Sequence, residues 1–399
     1  MLKRRTFLKA AGTATALSSI GFPRLANAQS DNLNWFVNSD LSGPAAYSSA
    51  AEAEGIQDFV DWINASGGVG GRQISLTVKD TGFKPAVSVA NFNQAVAAGR
   101  LDYVYADSTG MVQAVSPENN TTHKIFMGGG SHASELADPG NYPYYIVNGA
   151  TYRQQMVALV QHVADTQGND AKLAIVHSSI SFGRDGVDAA VAAAEELGVE
   201  VVLVQQTSFI ETDVSAFALA IRQAQPTHVI FHGYAMAVWP EIVRLVRDYG
   251  MDDVVFMGTL WQNEREKIME LGDIADGLIG VAVVNIRTEG AEGEMLKVID
   301  GIQREKDPNY TGYLKIGYVD GWLDAMLAAK ATEMVMEAGE EVNGDNLIKA
   351  VTSLKDWDTG GIIETPVTFK NNAIGLVRVF EWKKDGWVPE PVSDWMLMD

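Results

Sequence analysis

Three consecutive glycines, Gly128, Gly129 and Gly130, close an apolar run and are followed at once by Ser131 and His132. Backbone N–H groups, a hydroxyl and an imidazole are the parts of an anion site, or of a nucleophile with its base. A phosphate loop does not fit, because no lysine follows the last glycine and the spacing matches neither phosphate motif. A second cluster, "GGVGGR" from Gly67 to Arg72, leaves a helical pattern and enters a β pattern, the reverse of a dinucleotide loop. It reads as a helix end and turn whose glycines take positive φ. The six histidines show no metal-ligand spacing. His228 and His232 lie four apart in a strand pattern, which separates them by ~13 Å, too far for one ion. No G-x-S-x-G elbow occurs and there is no cysteine, so no catalytic constellation, metal site or cofactor site is read.

The elements that position these residues alternate. Short β-branched or aromatic runs ("NWFVNS" from Asn34, "RQISLTVKD" from Arg72, "DYVYADS" from Asp102, "KIFMGG" from Lys124, "YYIVNGA" from Tyr144) are separated by helical patterns. A second series follows with "KLAIVHSS", "VEVVLVQQ", "THVIFHGY", "DVVFMGT" and "GLIGVAVVN", starting at Lys172, Val199, Thr227, Asp253 and Gly277. Alternation of this kind predicts parallel sheets with crossover helices. Amphipathic stripes such as Ile56, Phe59, Val60 and Ile63 mark the helical faces. After Gly290 helices are expected over Met295 to Lys306, Tyr313 to Glu337 and Asp345 to Leu354. A closing hairpin of "GIIETPVTFK" with "GLVRVFEWKKDGW" completes the chain. The length and the 47% hydrophobic content suit two α/β lobes, each with its own core.

In open parallel sheets ligands bind at the carboxyl ends of the strands. Ser42, Gly43 and Pro44 end the first strand, Ser108 and Thr109 the third, and Gly130, Ser131 and His132 the fourth. Hydroxyls and free N–H groups at helix starts hold a carboxylate without a full positive charge. The second half offers Phe182, Tyr234 and Trp261 at its strand ends, rings suited to an apolar ligand body.

The N-terminus carries Arg4 and Arg5 followed by Phe7, Leu8 and Lys9, then a weakly apolar stretch and "ANA" at Ala26 to Ala28. This is the pattern of a twin-arginine export signal, with cleavage expected after Ala28. Its apolar part is shorter than the ~20 residues that span a bilayer. Cleavage would remove Lys3, Arg4, Arg5, Lys9 and Arg24 and no acid, so the net charge of −21 becomes more negative still. Such acidity disfavours nucleic acid and anionic membrane surfaces as partners. With no cysteine to lipidate, the exported chain is expected free in the periplasm, as a monomer.

"LSGPAAYSSAAEAEGIQDFVDWINASGGVGGRQISLTVKDTGFKPAVSVA", Leu41 to Ala90, resembles the opening of the leucine/isoleucine/valine-type solute-binding proteins of ABC importers. The likeness runs on through "ADSTGMVQAV", "FMGGGSHASEL", "SFGRDG", "FHGYAMAVWPEIVRLVRDYG" and "FMGT". It implies the type I periplasmic binding fold, α/β with two Rossmann-like lobes joined by three crossovers, here near Asn148, Asn285 and Gly360. The lobes are expected over 29–148 with 286–359, and 149–285 with 360–399. It further implies a small-molecule ligand with a carboxylate held by Ser108 or Thr109 and by Gly130, Ser131 and His132, and a transient ABC permease partner. Two positions depart from the family. "MGTLW" offers Leu260 and Trp261 where an acid usually meets the ligand amine, and Phe182 stands where a tyrosine is common. A third acidic position falls at Thr151 to Arg153. A buried ammonium without a counter-charge is costly, by ~3 to 5 kcal/mol. The departures therefore point to a branched or aromatic carboxylic acid beside an amino acid as the ligand, with Arg153 or Arg184 available to a second anionic group. The candidate ligand set is Ser108, Thr109, Gly130, Ser131, His132, Phe182, Tyr234, Trp261, Tyr47 and Arg153. A sensor module on the same fold, feeding a receptor or kinase, is the alternative function.

Overall fold

A computed structural model of the chain describes residues 32–234, 238–288 and 292–398. The expected export signal, 1–28, lies outside the described residues. The first sheet is built from β1 (Leu33–Ser39), β2 (Ile74–Asp80), β3 (Tyr103–Ala106) and β4 (Met127–Gly128), all parallel in the order β2-β1-β3-β4. Its crossovers are α1 (Ala46–Ala65), α2 (Pro85–Ala98) and α3 (Thr109–Glu118). The stripe Ile56, Phe59, Val60 and Ile63 is buried as its spacing requires. The glycines of "GGVGGR" turn the chain from α1 into β2 with positive φ at Gly67, Gly68, Gly70 and Gly71.

The second sheet takes β5 (Lys172–Ser178), β6 (Glu200–Thr207), β7 (His228–His232), β8 (Val255–Gly258) and β9 (Ile279–Ala282) in parallel. Its helices are α4 (Tyr152–Gln167), α5 (Ser181–Arg184), α6 (Val187–Glu196), α7 (Ser215–Ala224), α8 (Trp239–Asp248) and α9 (Arg265–Leu271). Three further helices, α10 (Glu294–Lys306), α11 (Ile316–Glu337) and α12 (Gly344–Thr352), return to the first lobe. There α11 lies along α1. The two backbones meet where a Cβ on Gly55 would stand 2.0 Å from the Tyr318 oxygen, so only glycine fits. Lys306 of α10 ties down Glu54 and Asp58 of α1 at 2.8 and 2.6 Å.

The chain then closes the second sheet with β10 (Leu376–Lys383), antiparallel to β9, and with β11 (Val388–Pro391) and β12 (Met396–Leu397), both antiparallel to β10. Two segments depart from the expected strands. "YYIVNGA" is not a ladder strand: it makes single bridges, Met127 with Tyr145 and Val147 with Ala373, because it is the first passage between the lobes. The partner of β10 in the closing hairpin is β11, not "GIIETPVTFK". That segment spends its backbone groups elsewhere, Ile362 accepting from Asn285 N–H at 2.7 Å and Val367 exchanging bonds with Trp357 at 2.9 Å.

The three passages run close together. Val147 N–H donates to Asn372 at 2.7 Å, Gly375 N–H to Gly149 at 3.0 Å and Ala150 N–H to Leu376 at 3.2 Å. Among the described residues no helix is long and apolar enough to cross a membrane.

Candidate functional site

Strand order reverses beside β1 and β3 in the first sheet and beside β5 and β7 in the second. A cavity of about 600 Å³ lies where the carboxyl ends of both sheets face each other. The first lobe contributes Ser48 and Glu52 from α1, Phe83 after β2, Asp107, Ser108 and Thr109 after β3, and Gly130 and Ser131 after β4. The second contributes Tyr152, Phe182, Arg184, Phe209 and Trp261 among others.

The hydroxyls sit where helix ends leave donors unpaired. Ser108 caps α3, its Oγ accepting from Met111 N–H at 3.3 Å. Thr109, the first residue of that helix, shares a hydrogen bond of 2.6 Å with Ser131 Oγ. The triple glycine is explained by its neighbours. A Cβ on Gly128 would lie 2.3 Å from an Asp324 carboxyl oxygen, and one on Gly129 would lie 1.9 Å from the Ala106 oxygen of β3. On Gly130 it would lie 2.1 Å from Glu52 Oε1. The glycines therefore admit two carboxyl groups and one close strand contact.

Opposite this wall stands an aromatic shelf. Tyr152, at the start of α4, donates its O–H to the Gly130 oxygen at 3.3 Å and accepts from Trp261 Nε1–H at 3.0 Å. Its ring packs on Phe182 with centroids 4.7 Å apart. Phe182 is held in turn by His232, whose Nε2 lies 3.1 Å from its carbonyl oxygen while Nδ1 lies 2.8 Å from Thr259 Oγ1. Burial lowers the His232 pKa to about 3, so the ring is neutral. At the mouth, Phe83 and Phe209 stack across the two lobes, centroids 5.2 Å apart and 17° from parallel. Phe83 takes a left-handed φ of 56°, uncommon for a bulky residue, with Thr81 Oγ1 accepting from its N–H at 3.1 Å. A second interlobe tie joins Ser134 to Asp185 through N–H and Oγ–H, at 2.7 and 2.8 Å.

Two acids reach the wall, both from the first lobe. Burial pushes Asp107 up to about 6 against the hydroxyl of Thr81, which donates to it at 2.8 Å. Glu52 is raised well above the carboxylate range by burial, then by Asp320. The second lobe lends no acid to the wall among the described residues, and its charge there is Arg184.

Six expected residues, Ser108, Thr109, Gly130, Ser131, Phe182 and Trp261, are brought together on the cavity wall. Four lie off it. His132 is buried behind the wall with Nε2 3.4 Å from Asp320 Oδ1, and its carbonyl accepts Tyr152 N–H at 2.7 Å. Tyr234 is buried with its hydroxyl on Thr207. Tyr47 lies under Lys315, whose Nζ is 4.4 Å from the ring centre. Arg153 is exposed, and its charge offsets only a small part of the rise that burial gives the Asp185 carboxyl. Around it, Thr151 and Gln154 form a capping box for α4, which accounts for the polar residues there. Tyr152, Glu52, Asp107, Phe83 and Phe209 also line the cavity and were not among the residues expected there.

Two doubly wound lobes with a lined cleft between their sheet ends define a two-lobed ligand-binding protein. The chain belongs to the periplasmic binding protein family, whose model matches residues 37–386. It is similar to Leu/Ile/Val-binding protein homolog 1 of Brucella abortus (strain 2308), 23% identical over 261 residues, which are 64% of this chain and 68% of the relative. Its fold is similar to that of a branched chain amino acid ABC transporter protein from Thermus thermophilus with bound valine. The TM-score is 0.83 and the identity 21%, covering 92% of this chain and 96% of that one. It is also similar to an ABC transporter solute binding protein from R. palustris in complex with 4-hydroxybenzoate. There the TM-score is 0.79 at 20% identity, covering 92% and 98%. The fold is the type I periplasmic binding fold, two lobes with parallel-sheet cores.

Proposed function

We propose that this chain is the substrate-binding component of an ABC transporter, capturing a small carboxylate-bearing molecule in the interlobe cavity for delivery to a membrane permease. The observation that carries the reading is the hydroxyl pair of Thr109 and Ser131, 2.6 Å apart at the start of α3 and facing an aromatic shelf. Hydroxyls and a helix start suit a carboxylate, and Tyr152, Phe182 and Trp261 suit a branched or aromatic body. The names of the similar proteins, binding leucine, isoleucine and valine or 4-hydroxybenzoate, span the same chemistry. An amine-free acid fits the second-lobe wall, where Leu260 and Trp261 replace an acid. An amino acid fits if Asp107, whose Oδ1 has no hydrogen-bond partner among the described residues, meets the ammonium group.

The lobes we assign are 29–148 with 286–359, and 149–285 with 360–399, following the three passages. We further assign an export signal with cleavage after Ala28, a periplasmic location and a monomeric state, and no enzymatic turnover. Ligand contacts to both lobes exist together only when the cleft is closed, so binding shifts the population toward the form a permease recognises. Mass spectrometry of the compound released from purified protein tests the reading: a small carboxylic acid or amino acid supports it, and a molecule without a carboxylate refutes it.

A further inference from the structure

The wall that carries Ser131 is backed by a carboxyl group instead of a cation. Glu52 is 1% exposed on α1. Glycines make room for it: besides Gly130, a Cβ on Gly317 would stand 3.2 Å from its Cγ, and one on Gly321 2.2 Å from its main-chain oxygen. Its Oε2 has no hydrogen-bond partner among the described residues, and neither has Ser48 Oγ one turn earlier.

The groups facing Glu52 are the Tyr105 hydroxyl and Asp107 from β3 and its end, and Asp320 and Asp324 from α11. His132 Nε2 lies 3.4 Å from Asp320 Oδ1, and the Tyr103 hydroxyl is bonded to Asp324. An ionised Glu52 among these acids would repel an anion from the Ser131 wall. A neutral carboxyl reverses the sign of that contact, because its O–H is a donor. Burial and the Asp320 charge both favour the neutral form, against a smaller opposing pull from Tyr105.

We propose that Glu52 is a specificity-determining donor of this site, remaining protonated beside Gly130 and donating its O–H to the ligand carboxylate held by Thr109 and Ser131. This rests on the carboxylate reading above. The proton stays on Glu52 throughout, so the anion is taken up with no cation on that wall.

Glu52→Gln keeps a donor of the same shape without a titratable proton. The infrared difference spectrum of wild type minus Glu52→Gln at neutral pH should contain the carbonyl stretch of a protonated carboxyl group, shifted in heavy water. Its absence overturns the proposal, and wild type minus Glu52→Ala provides the same subtraction should the glutamine variant misfold. Calorimetry with 4-hydroxybenzoate should find Glu52→Gln within about threefold of wild type and Glu52→Ala weaker by roughly tenfold or more. Tighter binding by Glu52→Gln, about tenfold or beyond, would mean that an ionised Glu52 repels the probe, and overturns the proposal. A wild type that shows the band yet takes up neither 4-hydroxybenzoate nor leucine, isoleucine or valine overturns the donation to a carboxylate, and the cavity reading with it, while leaving the proton on Glu52.

Discussion

Thr109 Oγ1 and Ser131 Oγ stand 2.6 Å apart on the cavity wall, one on the first turn of α3 and the other after β4. Each has a proton to give, and only one is used between them, so the pair offers a directed donor to an anion. Replacing Ser131 with Ala should remove a charge-assisted bond worth ~1.5 to 3 kcal/mol, a loss of roughly tenfold to more than a hundredfold in affinity. Calorimetry with the compound released from the wild-type protein measures it, and unchanged affinity would sink the assignment of this wall.

Tyr152 ties the shelf to the opposite lobe through Gly130 and Trp261. Tyr152→Phe strands a buried indole N–H and a carbonyl, so a stability loss of ~1 to 3 kcal/mol is expected. Ligand affinity should fall as well, because the indole loses its anchor. Chemical denaturation and calorimetry on the same variant test both, and a variant as stable and as tight as wild type refutes the bridging role.

The glycines predict opposite outcomes at two sites. Gly128→Ala drives a methyl into the Asp324 carboxyl and should cost ~1 to 3 kcal/mol. Gly301 lies inside α10 with nothing within 4 Å of a Cβ. Gly301→Ala should therefore add roughly 0.5 to 1 kcal/mol of stability. Thermal melts of the pair decide it, and a shift of the same sign in both contradicts the packing described.

Glu264 is buried at the start of α9, and burial pushes its pKa up to about 7 from 4.5, against the pull of Lys315. The folded chain then holds a proton that the unfolded chain releases between those values. Stability from this group falls as pH rises from 4.5 toward 7 and is level above. Glu264→Gln lacks the titration, so its stability relative to wild type should grow across that window, by up to ~3 kcal/mol. Urea denaturation at pH 4, 5, 6 and 7 (about one step per pKa unit) should show the gap widening; a constant difference would refute it.

Most of the architecture was legible because apolar runs and 3.6-residue stripes are local properties. The crossing segments were not: "YYIVNGA" and "GIIETPVTFK" have strand composition, yet their backbone groups are taken by the passages between lobes. The wall hydroxyls and two rings could be read from their places at strand ends. His132 could not, since its neighbour Asp320 comes from a helix far along the chain. Glu52 did leave a signal, falling on the buried stripe of Ile56, Phe59 and Ile63. An acid at a core position of an amphipathic helix is the kind of exception that marks a site.

The stacked rings of Phe83 and Phe209 act whether or not the cavity is filled. Such a pair contributes about 1 kcal/mol, which weights the shut form roughly fivefold. For the transport component proposed above, every increment of that clasp tightens retention of cargo and, by the same factor, raises the share of empty carriers that look loaded. On that proposal, the strength of this one aromatic contact sets a trade-off between holding solute and sending blank messages to the membrane.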